Sequence, residues 1–241
     1  FLGRTNKGKS ALLISLVIEN LMNGYKVLLF LSEGRIEDVY DIIEPIINTK
    51  FKEETRRIEI FKNLLLINIT DLPSEASHIP TTWCNRVFSI IKEQKVDLLY
   101  IDNYSTSSYA DAPPELQSKF VKTLNEYTQS HDIPVIGTIH PSKTINPIKE
   151  LSIEDIRSNS AYANMSSYVY AINNFCNLDK DKRILTILKA RTNSQCIEKS
   201  FEINFKRIGA NGIYNKDQEL DSLSYKRLII ENSRLKLSGR N

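Results

Sequence analysis

Along the chain, short apolar runs alternate with segments whose apolar residues recur every three or four positions. Ser10 to Asn23 places Leu12, Leu13, Leu16, Val17 and Leu21 on one face of a helix, and Gly24 stands where a C-terminal cap belongs. KVLLFLS (26–32) reads as a buried strand, Ile36 to Asn48 resumes the helical period, and LLLINI (64–69) is a further strand. A loop containing Pro and Ser leads to a helix from about Thr81 to Gln94. VDLLYID (96–102), IPVIGTIH (133–140), SYVYAIN (167–173), RILTILKAR (183–191) and SFEINFK (200–206) complete the strands. The early ones are nearly continuous in apolar character, as parallel strands covered on both faces are, whereas the later ones alternate. The pattern predicts an α/β fold with a mostly parallel central sheet flanked by helices and antiparallel strands toward the C-terminus. Ligands are expected at the carboxyl ends of the parallel strands. A single domain is expected over 1–215, with 216–241 as a basic and mobile tail.

Composition narrows this picture modestly. With 41% hydrophobic and 25% charged residues, the 241-residue chain has the balance of a soluble globular protein with a sizeable core. A net charge of +3 is too small to mark a nucleic-acid binder, so any basic surface has to be local. Cys84, Cys176 and Cys196 fit neither a disulfide framework nor a zinc site, which favours a reducing cytosol. No apolar run approaches membrane-spanning length, and neither a signal peptide nor membrane association is expected. The first residue is Phe1 rather than Met, from which an upstream segment is expected.

The chemistry begins at once. Gly3-Arg4-Thr5-Asn6-Lys7-Gly8-Lys9-Ser10, followed by Ala11, satisfies G-x-x-x-x-G-K-[ST] at every fixed position, between an apolar strand end and an amphipathic helix. The glycines allow a tight turn that aims amide N–H groups at phosphate oxygens. Lys9 reaches the β and γ phosphates of a nucleotide such as ATP, and the Ser10 hydroxyl offers a Mg²⁺ ligand. Asp102 ends the apolar run LLYID, where a carboxylate can hold the magnesium water shell, although strand-terminal Asp residues also serve as ordinary caps. Glu33 ends the strand that follows the phosphate-loop helix and can orient an attacking water. It can also be read as one of several solvated carboxylates beside Glu37 and Asp38.

The order of phosphate loop, strand ending in Ser-Glu, LLYID, IPVIGTIH and Lys-Ala-Arg resembles the RecA-like motor of ring-forming replicative helicases. These are the DnaB-type helicases, the phage primase-helicases and Twinkle. The most specific stretch is LSIEDIRSNSAYANMSSYVYAINN (151–174), and the likeness covers Gly3 to about Tyr214. The resemblance implies an ATP- and Mg²⁺-dependent DNA helicase: a homo-oligomer, hexameric in ring form, that translocates on single-stranded DNA during replication. A bacterial cell or phage-infected host, and primase or other replication proteins as partners, go with it. Lys9, Ser10, Asp102 and Glu33 take the roles already given. His140 matches the polar sensor of the γ-phosphate, and Lys189 and Arg191 match the basic pair that enters a neighbouring subunit's site. From the residues alone, His140 is also an ordinary hydrogen-bonded side chain, and Lys189 and Arg191 alternate on a strand whose exposed face needs cations for no special reason.

DNA contacts are expected from two loops, Asn103 to Pro114 and Pro141 to about Asn164. The second offers Lys143, Lys149 and Arg157 for phosphates, and Ser158, Asn159 and Ser160 for shorter contacts. The chain departs from the family at Arg157-Ser158-Asn159-Ser160, where relatives carry R-G-S-G, and at Asn173-Asn174, where an arginine near the nucleotide base is expected. A RecA-like recombinase, loader or regulatory ATPase that assembles without unwinding would share every phosphate-site residue. A nucleotide-binding subunit with poor hydrolysis is the third reading.

Overall fold

A computed structural model describes residues 1–4, 8–72, 80–104, 113–141, 150–156, 160–175, 179, 181–208 and 211–237. The protein is α/β, with one parallel four-stranded sheet and one mixed five-stranded sheet. The contacts divide it into two compact units. One comprises Phe1–Lys9, His140–Lys206 and Tyr214–Asn241, and the other Ser10–Ile139 and Arg207–Ile213.

The second unit holds the parallel sheet. Its strands are β2 (Val27–Leu31), β3 (Leu64–Asn68), β4 (Leu98–Asp102) and β5 (Val135–Gly137), after β1 (Leu2–Gly3) in the other unit. Their order is β3-β2-β4-β5. Each residue of β2 is paired on both sides, Val27 with Leu64 and Leu98 at one end and Leu31 with Asn68 and Asp102 at the other. Both faces of β2 are covered, and Val27 to Leu31 are buried throughout, which is why its sequence shows no alternation. The helices are α1 (Lys9–Met22), α2 (Ile36–Lys50), α3 (Glu54–Lys62), α4 (Pro80–Gln94) and α5 (Pro114–His131). In α1, Leu13, Val17, Ile18 and Leu21 are fully buried, and Gly24 at φ +87° ends the helix as its spacing predicts. Trp83 of α4 meets Phe30 of β2 edge-on, centroids 4.9 Å apart, and Phe120 of α5 at 5.2 Å. These rings fix the two helices to the sheet through area burial and quadrupole geometry.

The first unit holds the mixed sheet apart from Arg207–Ile213; its order is β1-β6-β7-β8-β9 with β6 (Tyr168–Asn173), β7 (Lys182–Ala190), β8 (Ser200–Ile208) and β9 (Asn211–Leu220). β1 lies parallel to β6, with Gly3 opposite Ile172, while β6–β7 and β7–β8 are antiparallel. Two helices belong here, α6 (Ser160–Met165) and α7 (Ser222–Leu237). Residues 216–241, read from sequence as a tail, supply the end of β9 and all of α7. Tyr225 seats α7: its hydroxyl pairs with Thr186 Oγ1 at 3.0 Å and donates to Glu150 Oε1, and its ring lies 6.3 Å from that of Phe175.

Burial, with help from the charge of Glu198, pushes the Glu150 carboxyl up to about 7. A carboxyl that holds its proton more tightly folded than unfolded stabilises the fold below the unfolded pKa, and that contribution disappears as pH rises through the folded one. Wild type is therefore expected to lose thermal stability relative to Glu150→Gln as pH rises from about 4.5 to about 7. Parallel melting curves of the two proteins check this. A constant difference across the window would contradict it.

Candidate functional site

In the first unit, the turn at the start of the chain brings Gly3, Arg4 and Lys9, three of the expected phosphate-binding residues, together. Gly3 ends β1, and a Cβ there would lie 2.8 Å from Lys9 Cγ and 3.2 Å from Cδ. The Lys9 stem therefore runs back across Gly3, and any larger residue would displace it. Lys9 is 5% exposed, and its Nζ donates to the Arg4 carbonyl at 3.0 Å and to His140 Nδ1 at 3.2 Å. An ammonium group has only donors, so Nδ1 accepts and the imidazole proton sits on Nε2. The residue read from sequence as a γ-phosphate sensor is thus bonded to the residue read as the phosphate lysine, 131 positions away. Gly8 sits at φ +96°, a backbone that L side chains rarely adopt. Arg4 is half-buried, and burial lowers its guanidinium pKa against the opposing pull of Asp155. Thr5, Asn6 and Lys7 lie outside the described residues.

The second unit carries Ser10, Ala11, Glu33 and Asp102. Ser10 is exposed in the first turn of α1, and the half-buried Ala11 accepts from the Ser15 hydroxyl through its carbonyl at 2.7 Å. The parallel sheet runs from β2 outward to β3 on one side, and from β4 outward to β5 on the other. The strand order reverses between β2 and β4, and the carboxyl ends flanking such a reversal form a crevice where α/β sheets bind ligands. Glu33 follows β2 and Asp102 ends β4. They are tied by a compact network. Ser32 N–H donates to the Asp102 carbonyl at 2.8 Å, while the Ser32 hydroxyl exchanges hydrogen bonds with the Asn103 carbonyl and N–H at 2.7 and 2.8 Å. Asn103 Nδ2 then donates to Glu33 Oε1 at 2.9 Å. Glu33 itself is exposed, so the amide aims a solvated carboxylate rather than a desolvated one. The peptide bond between Asp102 and Asn103 is cis.

Asp102 is held from the other side. Thr138 Oγ1, just past β5, donates to its Oδ1 at 2.5 Å, and Tyr104 N–H donates to the Thr138 carbonyl at 2.9 Å. Among the described residues no group of three or more His, Cys, Asp or Glu is arranged to hold a metal ion. Magnesium asks for less, since it keeps several waters and takes one or two protein oxygens. Asp102, with one oxygen engaged by Thr138, and the exposed Ser10 hydroxyl suit that chemistry. Glu33 also lines an open pocket of about 440 Å³ with Gly34, Arg35, Glu37 and the turn Asn68–Asp71. Two of its lining residues are joined directly, Asn68 Nδ2 donating to the Gly34 carbonyl at 2.6 Å.

Lys189 and Arg191, back in the first unit, share one anchor. Lys189 Nζ donates to the carbonyls of Ala163 and Asn164 at 2.7 and 2.9 Å, and Arg191 donates to that of Asn164 at 2.8 Å. Both cations thus satisfy the last carbonyls of α6, where the helix dipole is negative. Burial, then the neighbouring Arg191, lowers the Lys189 pKa.

Of the expected DNA contacts, Lys143, Lys149, Arg157, Ser158 and Asn159 lie outside the described residues, and Ser160 is the exposed first residue of α6. The segment read as a loop from Pro141 to Asn164 is in part regular. Pro141 bridges Ile156, a 3₁₀ turn spans Ile153–Asp155, and α6 begins at Ser160. Ser152 N–H donates to Asp155 Oδ2 at 2.7 Å and caps that turn, a local bond that apolar periodicity does not reveal.

Sequence reading passed over Thr138 and took Asn103 only as the start of a DNA loop. Both are polar residues closing apolar strands, near residues that were singled out. Only the strand register brings them to Glu33 and Asp102. No protein-family model matches the chain, and no curated protein matches it in sequence.

Proposed function

We propose that the chain is the RecA-like ATPase motor of a ring-forming DNA helicase, driven by ATP and Mg²⁺. One observation carries the reading. Within G-x-x-x-x-G-K-S, Gly8 takes a positive φ and Lys9, the first residue of α1, is buried with its ammonium turned back toward the loop. A helix N-terminus, a glycine turn and a confined cation form an anion site suited to a polyphosphate.

Each residue then has a task. Lys9 neutralises charge on the β and γ oxygens, and Ser10 and Asp102 hold the magnesium. Glu33, steadied by the Asn103 amide, orients the attacking water. His140, bonded to Lys9, senses whether the γ position is filled. Arg191 and Lys189 complete a neighbour's site, and single-stranded DNA is held by Lys143, Lys149, Arg157 and Ser158 to Ser160. No helix among the described residues is long and apolar enough to cross a membrane.

ATP turnover measured against protein concentration, with and without single-stranded DNA, tests the proposal. Turnover per chain should rise with both, and a forked duplex should be unwound. Turnover without strand displacement would assign the chain to the assembling recombinase or loader class. Tight ATP binding with no turnover at any concentration would overturn the motor.

A further inference from the structure

The phosphate loop has a close neighbour that none of these roles uses. A Cβ built on Gly8 would lie 2.6 Å from the Tyr214 hydroxyl oxygen, 3.3 Å from Cζ and 3.4 Å from Cε2. The phenol of β9 therefore rests directly against the glycine that turns the loop into α1. Its ring is held by Phe205 of β8, centroids 5.1 Å apart at 58°. The side chain is half-buried, and burial raises the phenol pKa, with Arg183 pulling it down and Asp181 pushing it up. Burial thus favours the protonated phenol, and the side chain is fixed against a glycine of the loop whose positive φ and close neighbour leave no room for a Cβ.

We infer that Tyr214 is a phosphate-contacting residue of the nucleotide site, its hydroxyl donating to the polyphosphate held by the loop beside Gly8 and Lys9. The inference rests on the nucleotide reading above and extends it to a residue outside the G-x-x-x-x-G-K-S motif. A neutral hydroxyl at this position adds a hydrogen bond to an anion without adding charge. Such bonds are stronger than neutral pairs because one partner is ionised. The contact is with phosphate, so it does not depend on the base.

Binding of inorganic tripolyphosphate and of ATP to wild type, Tyr214→Phe and Lys9→Ala tests this by calorimetry. The expected result is a loss of about 10-fold for both ligands in Tyr214→Phe, as for one hydrogen bond to a charged group, with the larger loss in Lys9→Ala. If wild type binds neither ligand, the nucleotide reading itself fails. If wild type binds both, Lys9→Ala weakens them and Tyr214→Phe stays within twofold, this inference alone is overturned. Should Tyr214→Phe fold poorly, fluorotyrosine-labelled wild type gives a second readout by ¹⁹F NMR, with Tyr214 assigned as the resonance that Phe205→Leu, which alters the adjoining ring, shifts. A Tyr214 resonance unmoved by saturating tripolyphosphate would overturn the inference, and a shifted one would support it.

Discussion

Arg191→Ala is expected to lower DNA-stimulated ATP turnover by about 10³-fold, the lower end of what a trans-acting arginine contributes to phosphoryl transfer. ATP binding to the single chain should change little, because the guanidinium is engaged with the Asn164 carbonyl. Loss of activity alone would not separate a finger from a helix cap, since the substitution removes that bond too. Subunit mixing does. If Arg191 acts across an interface, mixing Arg191→Ala with Glu33→Gln creates composite sites with every group present, at about a quarter of interfaces under random head-to-tail pairing. Recovery near that fraction is the expected result. If the mixture stays as inactive as its components, Arg191 works within its own chain.

Glu33→Gln is expected to reduce turnover by about 10²–10⁴-fold while leaving ATP affinity within a few-fold of wild type, the span typical of a positioned acid–base group. Glutamine keeps the shape and can still meet Asn103 through its carbonyl oxygen, but it cannot accept a proton from water. A rapid-quench measurement of the first turnover, beside an equilibrium binding titration, resolves chemistry from binding. Unchanged first-turnover chemistry would remove Glu33 from the mechanism and leave Asp102 as the only carboxylate of the proposal. A change confined to affinity would place Glu33 in nucleotide or magnesium binding.

How far the sequence foretold the molecule depended on whether the relevant contacts are local. β2 and α1 were legible because their burial is written into consecutive or helically spaced apolar residues. The helix α3, ETRRIEIFK, was not, since Ile60 is its one buried residue and Ile58 is exposed, leaving no stripe to read. α5 buries Phe120, Val121 and Leu124 with Gln117, and the buried glutamine breaks the apolar face just after the Pro-Pro pair that reads as loop. In α7, Tyr225 meets Glu150 and Thr186, contacts made only once the chain has folded. The candidate site divides in the same way. Gly8, Lys9 and Asp102 announce themselves by motif and position. Asn103 reaches Glu33 across 70 residues, and Thr138 reaches Asp102 across 36, and such pairings exist only in strand register.

The carbonyls at the end of α6 hold the two cations proposed to serve a neighbour. If assembly draws those cations away, helix integrity and ring closure become competing equilibria, and the competition is reciprocal. Whatever firms α6 must weaken subunit association by the same factor, and whatever frays it must tighten the ring. Nucleic acid bound near Ser160, at the other end of this six-residue helix, would then set the affinity of one subunit for the next without touching the interface.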